Sequence, residues 1–361
     1  MSTFPLISVI VCCHDEPFDI VRAAVLSVQK TRGVPQEIIL CANGKEDYTP
    51  LHREHLVDTC IQLQENHGIA QLRNAGLHVR KASLVFFLDG HMIIKDWQAC
   101  IPTIQAIFAE DPSIGIVTGI YKAQQVNLGD QARQLIYTAC ANKSRLSVPT
   151  TSHTCWLTTT GGISIFRDEL FSTLGDFPLY FQGASCEDIY MQLRAEAHGW
   201  FVAVCPQLRG THIHPMTLRA FYKNCLIRNG RGEALLFLAM LAGHCKARIS
   251  GYVCEIPIWS VLFLLALVSV ITTRNPTVFF GTAFLSICGL MYWLRKLFMA
   301  PGRLMPKFHA ILGYSGQKLA KLVWIVALCP QIFAVRRSKI IEKGEKEVSA
   351  YTTLRHEKSR R

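Results

Sequence analysis

The sequence predicts an α/β domain, in which a mostly parallel sheet lies between layers of helices, followed by C-terminal membrane helices. Three observations lead to this prediction: short runs of β-branched and aromatic residues, helical periodicity between them, and long uncharged apolar runs late in the chain. The short runs, at residues 6–13, 37–41, 84–88 and 114–118, have the length of buried strands. Residues 18–30 carry apolar side chains at helical spacing. Strands and helices that alternate with short connections build a mostly parallel sheet.

The apolar residues exceed what one domain core needs, since 50% of the 361 residues are hydrophobic. Residues 256–272 and 277–294 are uncharged runs close to the roughly 20 residues that cross a bilayer, and only four residues separate them. These two runs predict a transmembrane hairpin. A third run, residues 322–335, is short and contains Pro330, which fits a re-entrant or interfacial segment better than a full span.

The formal net charge is +12, and the basic residues concentrate beside the apolar runs. That position indicates contact with anionic lipid headgroups at a membrane surface. No basic motif interleaved with aromatic residues stands out, so nucleic acid is not an expected partner. The flanking residues are Lys246 and Arg248 before the runs, Arg295, Lys296, Arg303 and Lys307 between them, Arg336, Arg337 and Lys339 after them, and Lys358, Arg360 and Arg361 at the end.

The cysteines and the N-terminus both indicate a reducing compartment. The 14 cysteines have irregular spacings, which fits small buried hydrophobic residues rather than a disulfide framework or a zinc site. Asp15 and Glu16 follow the first strand directly, where a secretory signal would need an apolar stretch and a cleavage site. We therefore expect an inner-membrane or plasma-membrane protein whose N-terminal domain is cytoplasmic.

Polar residues follow three of the predicted strands directly. Ligands of open parallel sheets bind beyond the carboxyl ends of the strands, which is where these residues fall. We therefore expect their side chains to converge on one crevice. They are Asp15, Asn43, Asp89 and His91.

The tripeptide Asp89-Gly90-His91 places a carboxylate and an imidazole two residues apart at the edge of this crevice. A divalent cation held by one or two side chains neutralises the charge of a bound diphosphate. An imidazole among the ligands favours Mn²⁺ over Mg²⁺. The alternative is a simple turn, which an Asp-Gly pair also forms.

Six segments within about residues 6–232 carry a specific resemblance. They are SVIVCCHDEP, NHGIAQLRNAGL, FFLDGHMIIKDW, TTTGGISIFRDELFSTLGDF, CEDIYMQLRAEAHGW, and HIHP with the later RNGR. In this order they resemble the corresponding segments of family 2-type glycosyltransferases of the GT-A fold. The resemblance implies a Rossmann-like GT-A domain that binds a nucleotide-sugar donor and a divalent metal, Mn²⁺ or Mg²⁺.

The Asp-x-His form of the metal motif is similar to that of the polypeptide N-acetylgalactosaminyltransferases. In that family a later histidine completes the metal site, so the resemblance implies the ligands Asp89, His91 and His212, with His214 as a second candidate for the last position. The alternative for the two later histidines is a strand pair with one hydrogen-bonded core imidazole.

The acidic pair Glu187-Asp188 opens a helix predicted over residues 188–198. The resemblance implies that Asp188 is the general base that deprotonates the acceptor hydroxyl, and that Glu187 holds the acceptor or orients its neighbour. The alternative role is an N-cap with a favourable helix dipole, which stabilises by about 1 kcal/mol.

The resemblance also implies contacts to the donor. Asp15 and Asn43 would bind the nucleotide, although relatives commonly have acidic residues where Asn43 stands, so the base remains open. Arg73 would reach the diphosphate or the nucleotide, unless it is a solvated residue of an amphipathic helix. Arg228 and Arg231 would lie near the diphosphate, and lipid headgroups are their alternative partners.

The expected function is metal-dependent transfer of a sugar from a nucleotide-sugar to a lipid-linked or cell-envelope glycan, with inversion. The Asp-x-His motif leaves a retaining outcome open, and a catalytically silent membrane scaffold or assembly partner is the alternative class. The predicted segments are a GT-A catalytic domain (1–215), interfacial helices (216–250), a transmembrane hairpin (251–298), a basic loop with a re-entrant or interfacial apolar segment (299–340), and a basic tail (341–361).

Overall fold

A computed structural model of the chain describes residues 7–29, 36–66, 68–124, 126–141, 162–181, 183, 185–241 and 304–334. The predicted transmembrane hairpin and the basic tail lie outside the described residues. Within the part of the chain that the structure describes, no helix is both long enough and apolar enough to cross a membrane.

The predicted α/β domain with a mostly parallel sheet is confirmed. Its strands are β1 (Ile7–His14), β2 (Gln36–Asn43), β3 (Thr59–Leu63), β4 (Leu84–Asp89), β5 (Met92–Lys95), β6 (Ile114–Ala123), β7 (Ile163–Arg167) and β8 (Phe201–His212). They form one sheet in the order β3-β2-β1-β4-β7-β6-β8-β5. Strands β7 and β5 run antiparallel to their neighbours, and the other pairings are parallel.

Helices cover the sheet. They are α1 (Phe18–Ser27), α2 (Thr49–Arg53), α3 (Ile69–Leu77), α4 (Trp97–Glu110), α5 (Leu128–Ala141), α6 (Asp168–Leu174), α7 (Glu187–Ala197), α8 (Leu218–Lys223), α9 (Gly230–Leu241) and α10 (Leu304–Ala334). A 3₁₀ turn lies at Leu179–Phe181, and a π-helix, Asn224–Asn229, joins α8 to α9.

Both faces of the sheet are buried, because successive residues of a strand point to opposite faces. In β1, Val9 and Val11 join one apolar cluster, which α1 and α4 cover. Ile10 and Cys12 join the other, which α3, α6, α7 and α9 cover. The cysteines whose side chains the structure describes are free thiols, and most of them are buried.

The C-terminal apolar segment differs from the expectation of a basic loop followed by a short apolar segment. Residues 304–334 form one helix, α10, of 31 residues. Lys321 lies within it, and its ammonium is buried 3.7 Å from a carboxylate oxygen of Glu233 in α9. Gln317 donates a hydrogen bond of 2.7 Å to the same carboxylate. These partners compensate the buried charge, so this side of the helix can pack on the domain.

Candidate functional site

The carboxyl ends of β1, β2 and β4 lie side by side. The parallel register sets Asn43 beside His14 and Asp89 beside Cys12. Asp15 follows β1, and its backbone N–H points at the carbonyl oxygen of Asn43, 3.4 Å away. The structure therefore brings the polar residues of three strand ends to one edge of the sheet, as their positions after the strands led us to expect.

A ring of three polar side chains occupies the β1–β2 part of this edge. His14 Nδ1 lies 2.7 Å from Asn43 Oδ1, Asn43 Nδ2 lies 3.3 Å from Asn66 Oδ1, and Asn66 Nδ2 lies 3.0 Å from His14 Nε2. If Nδ1 of His14 carries the hydrogen, each of the three contacts joins a donor to an acceptor. Asn43 is buried, whereas His14 and Asn66 are exposed. The sequence analysis missed these two exposed residues, which can face a ligand.

Asp15 holds the turn after β2. Its Oδ1 accepts hydrogen bonds from the backbone N–H groups of Lys45 and Glu46, and these bonds lower the pKa of its carboxyl group. Gly44, with φ of +102°, lies against this carboxylate, and a Cβ there would be 2.2 Å from Oδ1. The structure thus places Asp15 at the predicted edge, where it fixes the loop that carries Lys45.

Three imidazoles gather next to Asp89. β5 pairs with the end of β8, and the backbone N–H of Ile213 donates to the carbonyl of His91 at 3.0 Å. The ring centroid of His91 is 4.3 Å from that of His212 and 5.7 Å from that of His214. The pairing of two strands distant in sequence therefore brings the later histidines to the Asp-x-His motif.

Other side chains contact these rings. Glu16 Oε1 lies 3.0 Å from His91 Nδ1, and the guanidinium of Arg133 in α5 lies 3.1 and 3.2 Å from the two ring nitrogens of His212. Among the described residues, no group of three or more His, Cys, Asp or Glu side chains is arranged to hold a metal ion. The donor types, a carboxylate and imidazoles, nevertheless fit Mn²⁺. The helical periodicity of the sequence did not predict that Arg133 would contact His212.

The pKa of His212 is that of a neutral imidazole at ordinary pH. Burial, and after it the neighbouring His91, Arg133 and His214, lower this pKa to about 2. Without metal, the folded protein then keeps His212 neutral while the unfolded chain binds a proton below about pH 6.5. Because the unfolded state binds more protons, this group makes stability fall as the pH falls from about 6.5 towards 2.

We therefore expect His212→Gln to flatten the pH dependence of stability in the presence of EDTA. Below pH 6.5, the wild type should lose up to about 1.4 kcal/mol more per pH unit than the variant, which is the contribution of one proton. Melting curves of the full chain between pH 4.5 and 7.5 measure this difference. His198→Gln, at an exposed histidine, is the control. Parallel curves for wild type and His212→Gln would show that His212 titrates normally.

Arg73 has a different position from the predicted contact to the donor. Its guanidinium is buried, 2.6 Å from Glu187 Oε1 and 3.7 Å from Asp89 Oδ1, and it lies over the rings of Phe87 and Phe177. Burial lowers the pKa of Arg73, but the carboxylates of Glu187 and Asp89 outweigh it and hold the pKa above its usual value. Arg73 therefore connects the metal motif at the end of β4 to the start of α7.

Removal of this arginine is expected to destabilise the domain strongly. Arg73→Met would leave the carboxylate of Glu187 buried without its cation, which costs about 3–5 kcal/mol. The exposed pair of Arg22 and Glu54, 3.7 Å apart, provides the control. Arg22→Met should cost about 0–1 kcal/mol. Melting temperatures of the two variants check this, and equal shifts would contradict a structural role for Arg73.

Asp188 is the second residue of α7, and it is partly exposed. The residue at the N-cap position is Cys186, so Asp188 does not cap the helix. The preceding Glu187 is only 4% exposed and is paired with Arg73. Glu187 can therefore orient Asp188, whereas its burial argues against a direct hold on an acceptor.

The backbone of the RNGR segment supports the loop before α7. The backbone N–H of Ser185 donates to the carbonyl of Arg228 at 3.3 Å, at the end of the π-helix. Single-turn π-helices occur often at functional sites. The Arg228 side chain is exposed, and the guanidinium of Arg231 lies over the ring of Trp324, 5.7 Å from its centroid. The structure thus brings this segment and α10 to the loop that precedes Asp188.

The mixed, mostly parallel sheet and the polar groups at its strand ends define a GT-A-like domain of a glycosyltransferase. The chain belongs to the glycosyltransferase-like family 2, whose model, "Glycosyltransferase like family 2", matches residues 5–231. No curated protein matches the chain significantly.

Solved structures that are similar to it include two glycosyltransferase complexes. The mannosyltransferase PcManGT from Pyrobaculum calidifontis, in complex with GDP-Man and Mn²⁺, is 15% identical, with 90% of this chain and 88% of that chain covered and a TM-score of 0.53. GalNAc-T7 with UDP, GalNAc and Mn²⁺ is 16% identical, with 62% of this chain covered and a TM-score of 0.46, and the chain spans 48% of its length. At these identities the likeness shows the fold alone.

Proposed function

We propose that this glycosyltransferase moves a sugar from a nucleoside-diphosphate sugar to a hydroxyl or phosphate of a lipid-linked or cell-envelope glycan, with a bound Mn²⁺ or Mg²⁺. The observation that carries the proposal is the contact of Arg73 with both Asp89 and Glu187. This contact links the end of β4, which is proposed to bind the donor, to the start of α7, which is proposed to act on the acceptor. The two therefore form one site.

Asp89, His91 and His212 would hold the metal. When bound, the metal neutralises the diphosphate that leaves with the nucleotide. Gly162 directly precedes β7. A Cβ at this position would lie 2.3 Å from Asp89 Oδ2, so only glycine lets the start of β7 approach this carboxylate so closely. The presence of Mn²⁺ and GDP-Man in the PcManGT complex supports both the metal and the class of donor.

Asp188 would act as the general base. It would accept the proton of the acceptor hydroxyl while the acceptor oxygen bonds to the anomeric carbon and the bond to the diphosphate breaks, which inverts the anomeric centre. Its partial exposure at the start of α7 leaves it accessible to an acceptor. The Asp-x-His motif keeps a retaining outcome as the alternative, in which Asp188 has no such role.

The base of the nucleotide would meet the exposed side chains of His14 and Asn66. The ring of His14 offers a stacking surface, and the amide of Asn66 has a second N–H besides the one that faces His14. Uracil and guanine both present a carbonyl oxygen to such a donor. The identity of the base is therefore an outcome of the experiment below.

The acceptor would be reached at the cytoplasmic face of a membrane. The two uncharged runs at residues 256–272 and 277–294 and the basic residues beside them support this placement. A catalytically silent scaffold would need none of the three side chains Asp89, His91 and Asp188, and the chain has all of them.

A thermal-shift panel tests the proposal. The full chain in detergent is heated with UDP, GDP, ADP, CDP or TDP, in the presence of Mn²⁺, Mg²⁺ or EDTA. A ligand that binds only the folded state stabilises it by about 2.7 kcal/mol at 100 times its dissociation constant. We expect one or two diphosphates to raise the melting temperature with metal and not with EDTA. No shift with any diphosphate would contradict a nucleotide-sugar donor.

A further inference from the structure

The outward side of α10 is apolar, which is the reverse of the usual pattern for a helix on a protein surface. Its exposed large side chains are Leu304, Met305, Phe308, Leu312 and Val323. Their exposure ranges from 46% for Leu312 to 76% for Leu304. A surface helix in contact with water would carry charged or polar residues there.

These five residues form a stripe on one side of the helix. At roughly 100° per residue, the five exposed side chains fall within an arc of about 100°. The buried side chains Ala310, Gln317 and Lys321 point to the opposite side, where α10 packs on the domain. The helix therefore has an apolar side that the domain does not cover.

The π-helix extends the stripe. Leu226 and Ile227 are 40% and 47% exposed, and Leu226 packs against Gly316 of α10, one turn after Leu312. We call these seven residues the α10 face: Leu226, Ile227, Leu304, Met305, Phe308, Leu312 and Val323. Arg228 follows Ile227 directly in sequence, and its carbonyl accepts the hydrogen bond from the loop before Asp188.

The surroundings of the α10 face are cationic. Arg219, Lys223 and Arg228 are exposed on α8 and the π-helix. Residues 304–334 and 215–232 contain no Asp or Glu. An apolar stripe bordered by cations matches a bilayer surface with anionic lipids, in which apolar side chains enter the acyl boundary and basic groups meet the phosphates.

The sequence also places this face near a bilayer. The second uncharged run ends at residue 294, and α10 begins at residue 304. The nine residues between them span at most about 30 Å when fully extended. If residues 277–294 cross the membrane, the start of α10 must lie close to its surface.

We infer that the α10 face rests on an anionic bilayer, with α10 parallel to the surface. This inference relies on the membrane placement in the proposed function and not on sugar transfer itself. Contact at Leu226 and Ile227 would bring the π-helix to the membrane surface. The loop before Asp188 would then open towards an acceptor carried by lipid.

Lipid photolabelling tests this contact. The full chain is reconstituted into nanodiscs of phosphatidylcholine and phosphatidylglycerol that contain a phospholipid with a diazirine on its acyl chain. After irradiation, tryptic peptides are mapped by mass spectrometry. We expect label on residues 308–318, which trypsin releases and which contain Phe308 and Leu312. The label should decrease in discs of phosphatidylcholine alone.

The double variant Phe308→Asp, Leu312→Asp should lower the label on this peptide by about tenfold, because two apolar side chains no longer enter the lipid. Leu26→Asp, at a 39% exposed leucine of α1, should leave the label unchanged. Label on residues 256–294 serves as an internal reference for reconstitution.

Label on residues 256–294 without label on 308–318 would overturn the inference, as would a contact between residues 308–318 and a second copy of the chain. Equal label in neutral discs would overturn the choice of anionic lipid. Strong label without any sugar transfer would count against the proposed function and leave the membrane contact standing.

Discussion

Asp188→Asn is expected to lower the rate of sugar transfer by about 10²–10⁴-fold, the usual effect of losing a general base. Asparagine keeps the size of the side chain and its hydrogen bond to the backbone N–H of Ile189, 2.8 Å from Oδ1. It cannot accept the proton of the acceptor hydroxyl. Donor affinity should hardly change, because Asp188 is not among the proposed metal ligands.

Asp19→Asn is the matched control for this variant. Asp19 is an exposed carboxylate in the first turn of α1, as Asp188 is in the first turn of α7. Both substitutions remove the same favourable interaction with a helix dipole, about 0.3–1 kcal/mol. Initial rates and nucleotide affinities are measured for both at matched melting temperatures. Near-wild-type turnover in Asp188→Asn would exclude Asp188 as the base and favour a retaining mechanism.

Asp89→Ala is expected to abolish metal-dependent binding of the nucleotide. Loss of an outer-shell partner lowers metal affinity by about 10–100-fold, so loss of a ligand should exceed that range. Arg73 keeps its contact with Glu187 in this variant, so the start of α7 should stay in place. Titration calorimetry of nucleoside diphosphates with Mn²⁺ and with EDTA measures the effect.

Asp176→Ala, at an exposed carboxylate that pairs with His78, is the control for the metal experiment. The variants His212→Ala and His214→Ala then decide which later histidine takes part, because only a ligand should lower Mn²⁺ affinity. Mn²⁺-dependent binding that survives in Asp89→Ala would exclude the Asp-x-His motif as the metal site.

The sheet was predictable where its strands are apolar on both faces. Strands β1, β2, β4 and β6 lie in the middle of the sheet, and their burial makes them uninterrupted apolar runs. The inner strands β7 and β8 and the edge strands β3 and β5 are not among the four predicted runs. β3 is mostly half-buried, and β5 has only four residues, so neither shows a long apolar run or a clear alternation.

The site was predictable where its residues follow strands of the predicted sheet. It was not predictable where it depends on contacts between residues that are distant in sequence. Asn43 ends β2 and Asp89 ends β4, the strands on either side of β1, and His91 follows β4 two residues later, so the parallel sheet alone brings them to the same end. The partner of Arg73 is Glu187, 114 residues away, and Arg133 meets His212 across 79 residues. Periodicity within a helix does not reveal such pairs.

The length of α10 was also not predictable from its own residues. The predicted apolar segment began at residue 322, directly after Lys321, because a lysine is rarely buried without a partner. Its partner, Glu233, comes from α9, so Lys321 is buried inside a helix that begins at residue 304. The exposed apolar side chains of α10 became meaningful only once the structure showed which side the domain covers.

Release of nucleoside diphosphate from a nucleotide-sugar tests the central claim most directly. The wild type and Asp89→Ala are reconstituted in nanodiscs with a lipid extract as acceptor source, and each is incubated with a panel of nucleotide-sugars and Mn²⁺. The account predicts diphosphate release by the wild type with at least one donor, lost on addition of EDTA and absent in Asp89→Ala. Equal release by both proteins, or release that persists in EDTA, would contradict it.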